Sequence, residues 1–214
     1  PQTTLSDKIE TSYNSNNCSI PCGILTSSTR SRRTVMIPLS TDSRCTQGRP
    51  VRYSWAGEST VRSDAYTANI VIAIAEHFAS EAANQELMRE KIDSKHFRKY
   101  KSKLKAFLEN KLNRLQEGKL TPGSEVTPVK RARRDARIFE LRWHHETTIH
   151  RSAKTQIRHY VGEPPEIEDT VFGLVIHLKD ISGTETEITE KQNEQIDKSL
   201  NLYSKHSANG WKLN

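Results

Sequence analysis

The sequence predicts an α+β protein: an antiparallel sheet of about four strands, with a two-helix hairpin packed on one face and a C-terminal helix, preceded by a polar N-terminal extension. Apolar residues recur at three-to-four spacing in two consecutive central segments, alternate in the segments that follow, and return to helical spacing near the end. Helices followed by a run of strands are typical of α+β proteins, in which the helices cover one side of an antiparallel sheet.

The first 49 residues form the predicted extension. They are rich in Ser, Thr and Asn, and Pro21 and Pro38 interrupt them. This composition suits an extended or poorly ordered arm, in which only residues 34–37 are strand-like. A second strand-like segment, residues 50–55, opens the predicted domain over residues 50–214.

Two central segments predict the helical hairpin. The first helix is expected over residues 63–92, with Ser63 as its N-cap. The second is expected over residues 94–116, and Gly118 suits the position that follows a helix end. Its apolar residues form one stripe: Phe97, Tyr100, Leu104, Phe107, Leu108, Leu112 and Leu115.

The strands are expected over residues 126–131, 138–143, 156–161 and 171–179. The last of them has a continuous apolar centre, which indicates a buried central strand. A terminal helix is expected to begin near Thr189, with Ile188, Gln192, Ile196, Leu200 and Tyr203 on one face.

The charge distribution indicates a polyanionic partner. Residues 89–160 contain 20 Lys and Arg against 8 Asp and Glu, a net of +12, whereas residues 1–88 balance at zero and residues 161–214 carry −5. For the lysines at 95–105, a solvated helix face is an equally simple explanation. RNA contacts are predicted for Lys99, Lys101, Lys103, Arg151 and Lys154.

Membrane, secreted and metal-binding classes are not indicated. The longest apolar run, near Ile70, is far shorter than the ~20 residues that span a bilayer. The opening residues are polar, unlike a secretion signal. Cys18, Cys22 and Cys45 are too few for a disulfide framework or a complete zinc site. We therefore expect a cytoplasmic protein without a metal.

Four motifs, "VKRARRDARIFELRW", "QIRHYVGEP", "VFGLVIHLKD" and "EKQNEQIDKSLNLY", follow one another over residues 129–203. Their order and spacing resemble the RelE/ParE superfamily of toxins, in particular its HigB-like, phage-derived branch. The resemblance implies a twisted antiparallel sheet with a helical hairpin on one face. It also implies cleavage of messenger RNA, often on the ribosome, with no cofactor and with a cognate antitoxin as partner.

The same resemblance selects five catalytic candidates. Arg142 matches the "ELR" strand, Arg158 and Tyr160 match an "R-x-Y" strand, and His177 and Lys179 match the end of a "G-L-x-x-H-x-K" strand. The N-terminal extension and the long segment over residues 143–155 depart from the family pattern.

Independently of the resemblance, these side chains suit the chemistry of RNA cleavage. Metal-free RNA cleavage requires a general base, a general acid and fixed positive charge around the phosphate. We predict that Arg142 and Arg158 hold the phosphate, with His177 as the first and Tyr160 as the second candidate for acid or base. Arg142 could instead pair with Glu140 or Glu146, His177 could be a core histidine, and Tyr160 could be a packing residue.

Two other functions remain open. Some relatives with this fold inhibit DNA gyrase and do not cut RNA, so fold alone does not fix function. A basic nucleic-acid-binding protein without catalysis, such as a recombination or capsid-associated factor, would also use the lysine-rich helix.

Overall fold

The computed structural model describes residues 42–58, 61, 69–132, 136–150 and 154–212. This part of the chain contains five strands and three α-helices. The strands are β1 (Arg52–Trp55), β2 (Val126–Pro128), β3 (Ile138–Glu146), β4 (Lys154–Gly162) and β5 (Thr170–Leu178), and the helices are α1 (Ile70–Met88), α2 (Phe97–Gln116) and α3 (Glu185–Ala208). The α+β class is therefore as predicted.

The sheet is mixed rather than antiparallel, and it has five strands rather than about four. Its order is β1-β5-β4-β3-β2, and β1 pairs with β5 in parallel, with Arg52 opposite Thr170. The apolar centre of β5 explains the difference, because a strand buried on both faces needs a neighbour on each side. At Gly173 a Cβ would overlap Tyr53, so β5 needs glycine where β1 approaches.

The helical hairpin covers one face of this sheet. The predicted apolar stripe of α2 is confirmed at Tyr100, Leu104, Leu108, Leu112 and Leu115, all of which are completely buried. These residues join one core with Val71, Ile74 and Phe78 of α1 and with the side chains of Leu141, Trp143 and Ile157 on the sheet. Because the stripe is buried against one face of the sheet, the opposite face is left for α3.

The boundaries of the two hairpin helices differ from the predicted ones at two described ends, the end of α1 and the start of α2. α1 ends at Met88, before residue 92, and Glu90 follows it with a positive φ of 55°. Residues 62–68, which include the predicted N-cap Ser63, lie outside the described part of the chain. α2 begins at Phe97 after a 3-10 turn at Ser94–His96, and Gly118 follows its end with a φ of 66°, as predicted.

α3 packs on the opposite face of the sheet. It begins at Glu185, earlier than the predicted Thr189, because Thr184 and Glu187 form a capping box. Leu202 and Tyr203 in its second half are buried with Phe172 and Trp211. The sheet is therefore enclosed between the hairpin and α3.

The segment around Ser43 is attached to this domain, although the sequence assigned it to the extension. The carboxylate of Glu163 is fully buried and accepts hydrogen bonds from the Ser43 hydroxyl and from the Arg44 backbone N–H. The Arg44 guanidinium donates to the carbonyls of Pro164, Ile167 and Thr170. Residues 1–41, including the strand predicted at 34–37, lie outside the described residues.

β3 and β4 form a long hairpin across the segment that departed from the family pattern. Glu146 pairs with Lys154 at its end, so residues 143–146 and 154–155 of this segment continue the two strands. No helix among the described residues combines the length and the apolar character that a membrane crossing requires.

Candidate nucleic-acid site on the sheet face

Three rows of side chains cross the α3 side of the sheet. In the first, Glu140 on β3 lies opposite Tyr160 on β4. In the second, Arg142 lies opposite Arg158, which lies opposite His177 on β5. In the third, His144 lies opposite Gln156, whose carbonyl accepts a hydrogen bond from the Lys179 backbone. Alternation along each strand thus brings all five predicted catalytic side chains to one region.

We call the second row, Arg142, Arg158 and His177, the arginine row. Its charge is organised by one carboxylate from the first row. Oε2 of Glu140 lies 2.6 Å from an Nη of Arg142, and Oε1 lies 3.0 Å from Nε of Arg158. The alternative that Arg142 pairs with Glu140 is therefore realised. Each guanidinium has five N–H donors, so both keep donors for a further anion.

The two arginines differ in access. The Arg142 side chain is 40% exposed, whereas that of Arg158 is 8% exposed. Burial lowers the pKa of Arg158, and the Glu140 carboxylate partly offsets this effect. Arg142 is thus placed for first contact with an anion, and Arg158 reinforces the positive potential beneath it.

The surroundings of His177 favour its neutral imidazole form. Its Nδ1 lies 2.9 Å from the Leu178 carbonyl oxygen, and because a carbonyl only accepts, Nδ1 carries the proton. In the neutral form Nε2 is then the unprotonated nitrogen, and it has no hydrogen-bond partner in the part of the chain described. Burial lowers the pKa of His177, and the nearby Arg158 adds to this. A neutral imidazole with an available lone pair is the form that a general base requires.

The ring of Tyr160 packs against the ring of His177. The two rings stack with their centroids 5.9 Å apart and their planes 17° apart. Tyr160 is fully buried, and burial together with the Glu140 carboxylate raises the pKa of its phenol. The packing role that the sequence left open for Tyr160 is the one that the geometry favours.

Lys179 extends the positive region beyond the arginine row. Burial lowers the pKa of its ammonium group, and Arg158 lowers it further. The same two causes lower the pKa of His144 in the third row. These directions indicate a site with an excess of positive charge, since three cations surround the single carboxylate of Glu140.

α3 covers part of this region. Nε2 of Gln192 donates to Oε1 of Glu140 at 3.3 Å, which places the first half of α3 over the first row. Within the described residues of α3, the buried ones are Ser199, Leu202 and Tyr203, all in its second half. The first half therefore has the weaker apolar attachment.

The predicted RNA-binding residues are not brought together. Lys99, Lys101 and Lys103 lie on α2, which packs on the other side of the sheet from the arginine row. Lys101 is also committed to an ion pair with Glu76 at 2.7 Å, whereas Lys99 and Lys103 are exposed. Lys154 lies at the start of β4, on the side of the arginine row, and Arg151 lies outside the described residues.

Metal ligands are not clustered in the described ranges: no group of three or more His, Cys, Asp or Glu side chains there could hold an ion. His144 is exposed, while His145 is buried beside Tyr100 and Phe107. The alternation of β3 thus separates these two neighbours.

Two contributors to the site were missed from the sequence. Glu140 was seen only as a possible partner of Arg142, although its position two residues before Arg142 already places both on one strand face. Gln192 reaches the site from a helix 52 positions further along the chain, and strand patterns carry no signal of such a contact.

No family model, curated protein or solved structure matches this chain.

Proposed function

We propose that this protein is a metal-independent endoribonuclease that cleaves messenger RNA, as the toxin of a toxin–antitoxin pair that acts on the ribosome. The observation that carries the proposal is the arginine row, in which Arg142 and Arg158 adjoin His177, whose Nδ1 bonds to the Leu178 carbonyl and leaves Nε2 for a substrate. The motif resemblance over residues 129–203 supports the toxin class.

The row supplies the groups that RNA cleavage needs. The 2′-oxygen attacks the adjacent phosphorus while Nε2 of His177 takes the 2′-hydroxyl proton. Arg142 and Arg158 stabilise the charge that develops on the phosphorane oxygens. The bond from phosphorus to the 5′-oxygen then breaks, and the Lys179 ammonium group donates a proton to that oxygen. The products are a 2′,3′-cyclic phosphate and a 5′-hydroxyl.

Substrate access requires a local rearrangement. Nε2 of His177 is buried, and Gln192 lies over Glu140. The first half of α3, which has no fully buried residue within the described chain, is the element whose displacement opens the row. Once a phosphate has bound, Glu140 keeps both guanidinium groups in place beneath it.

One set of contacts favours a non-catalytic alternative, in which the same face binds DNA gyrase or a nucleic acid without cutting it. Glu140 forms ion pairs with both arginines, and Arg158 and Tyr160 are buried. A binding surface would tolerate this arrangement without any movement of α3.

Expression in a bacterium separates these functions. We expect wild-type protein to arrest growth and to produce new 5′ ends in transcripts, detected by primer extension. Arg158→Ala combined with His177→Ala should abolish both effects at equal levels of folded protein. Lys99→Gln with Lys103→Gln, on the opposite face, is the matched control and should retain cleavage.

Growth arrest with intact transcripts and DNA-damage signalling would instead identify the gyrase mechanism. Equal toxicity of the wild type and the Arg158 and His177 double variant would refute the assignment of the site.

A further inference from the structure

A second concentration of positive charge lies at the end of the sheet, where the C-terminal end of α1 meets the start of β4 and the end of β5. These elements enclose a cleft of about 520 Å³, which we call the end cleft. Four cationic side chains line it: Arg89, Lys91, Lys154 and Lys179. Gln156 of the third row also lines it, so the end cleft continues directly from the sheet face.

The acidic groups of the end cleft already have hydrogen-bond or ion-pair partners. The Glu86 carboxylate accepts a hydrogen bond from Nε2 of His150, and both side chains are buried in the wall. Asp180 lies 3.0 Å from Nζ of Lys191, a residue outside the cleft, and accepts a further bond from the Ser182 backbone. The cleft lining therefore has four cations against two carboxylates, and neither carboxylate pairs with Lys91, Lys154 or Lys179.

The four cations differ in whether they form an ion pair. Arg89 makes a loose ion pair of 3.8 Å with Asp180. Within the described ranges, no carboxylate lies within ion-pair distance of Lys91, Lys154 or Lys179. Burial and Arg158 lower the pKa of Lys179 more than the Glu140 carboxylate raises it. Such a concave site attracts an anion with several charges.

Lys179 belongs both to the end cleft and to the surroundings of the arginine row. We propose that the end cleft binds the phosphates of the single RNA strand that flanks the cleaved bond. This inference rests on the proposed ribonuclease function for its substrate. Ile181 at the cleft wall is 58% exposed and offers an apolar surface to a ribose or base.

Binding of a labelled RNA decamer with 2′-O-methyl groups tests the proposal, because this probe lacks the attacking 2′-hydroxyl and is not cut. The slope of log affinity against log salt should fall by about 1.4 when Lys91→Gln and Lys154→Gln are combined, at roughly 0.7 per phosphate contact. If the wild type and the variant bind equally at 1 M salt, this change in slope corresponds to about 25-fold weaker binding by the variant at 0.1 M salt.

Two controls make the result specific. Lys99→Gln with Lys103→Gln changes the charge equally on the opposite layer and should leave the slope within about 0.3 of the wild type. A trinucleotide of the same chemistry, which is long enough only for the arginine row, should bind the cleft double variant within twofold of the wild type.

An unchanged decamer slope in the cleft double variant would overturn the proposal. An equal loss of affinity for the trinucleotide and the decamer would also overturn it, because that result would place the central phosphate in the cleft. The outcome is separable from the nuclease activity. If wild-type protein never cuts RNA but the cleft variant loses slope, catalysis fails while the binding cleft stands. If wild-type protein cuts RNA and the slope is unchanged, only the cleft is refuted.

Discussion

His159 in the core provides a prediction whose magnitude follows from its contacts. Its Nδ1–H donates to the Val175 carbonyl at 2.9 Å, so the Tyr53 hydroxyl donates to Nε2 at 3.1 Å. The rings of Trp55 and Trp143 flank it. The neutral imidazole is thus fully satisfied, and burial lowers the pKa of His159 to about 4.

This pKa makes stability depend on pH. In the unfolded chain the histidine titrates near 6.5. Between pH 6.5 and 4 the unfolded state therefore binds a proton that the folded state does not, so stability is present above 6.5 and is lost as the pH falls towards 4. At 1.36 kcal/mol per pKa unit the full loss is about 3 kcal/mol, of which about 2 kcal/mol occurs between pH 7.5 and pH 5.

Urea unfolding at several pH values measures this loss. The variant with Tyr53→Phe and His159→Phe removes the titrating group without leaving the tyrosine hydroxyl unpaired. Other histidines contribute the same background to both proteins. The unfolding free energy of the wild type should therefore fall by about 2 kcal/mol more than that of the variant from pH 7.5 to pH 5. A difference that stays constant over this range would refute the argument, as would an NMR titration that finds the His159 ring protonating near pH 6.5.

Three further substitutions should change the unfolding free energy measured in urea at pH 7.5. Glu90→Gly should raise it by about 0.5–1 kcal/mol, because glycine removes the strain of a φ of 55° at some cost in chain entropy, and no gain would contradict this. Thr184→Ala should lower it by about 1 kcal/mol through loss of the capping box, and an unchanged value would mean that the end of α3 is already frayed. Glu163→Gln should lower it by about 2 kcal/mol, since it weakens the bonds from Ser43 and Arg44, and a loss below 0.5 kcal/mol would show that this attachment is dispensable.

Local patterns were sufficient for the elements of the fold. The apolar stripe of α2 and the alternation of β4 depend on periodicity within one segment, and the structure has both. Alternation also placed Arg158 and Tyr160 on the face opposite Ile157 and His159, as the structure does.

Contacts between segments that lie far apart in the sequence could not be predicted from such local patterns. The parallel pairing of β1 with β5 joins residues more than 100 positions apart, and a four-residue strand carries no signal of its direction. The cover that α3 provides over Glu140 depends on how the second half of the helix packs against Phe172. Burial of Tyr160 and partial burial of His177 follow from that cover, so their exposure could not be judged from strand patterns.

Cleavage by the purified protein tests the central claim most directly. End-labelled RNA is incubated free in EDTA and, separately, as messenger RNA on programmed ribosomes, with wild-type protein and with His177→Asn, which can keep a donor towards the Leu178 carbonyl. We predict that the wild type produces fragments ending in 2′,3′-cyclic phosphate on at least one of these substrates, and that His177→Asn reduces the cleavage rate at least 100-fold while binding RNA equally well. Cleavage by the variant at the wild-type rate, or intact RNA on both substrates with folded wild-type protein, would contradict the account.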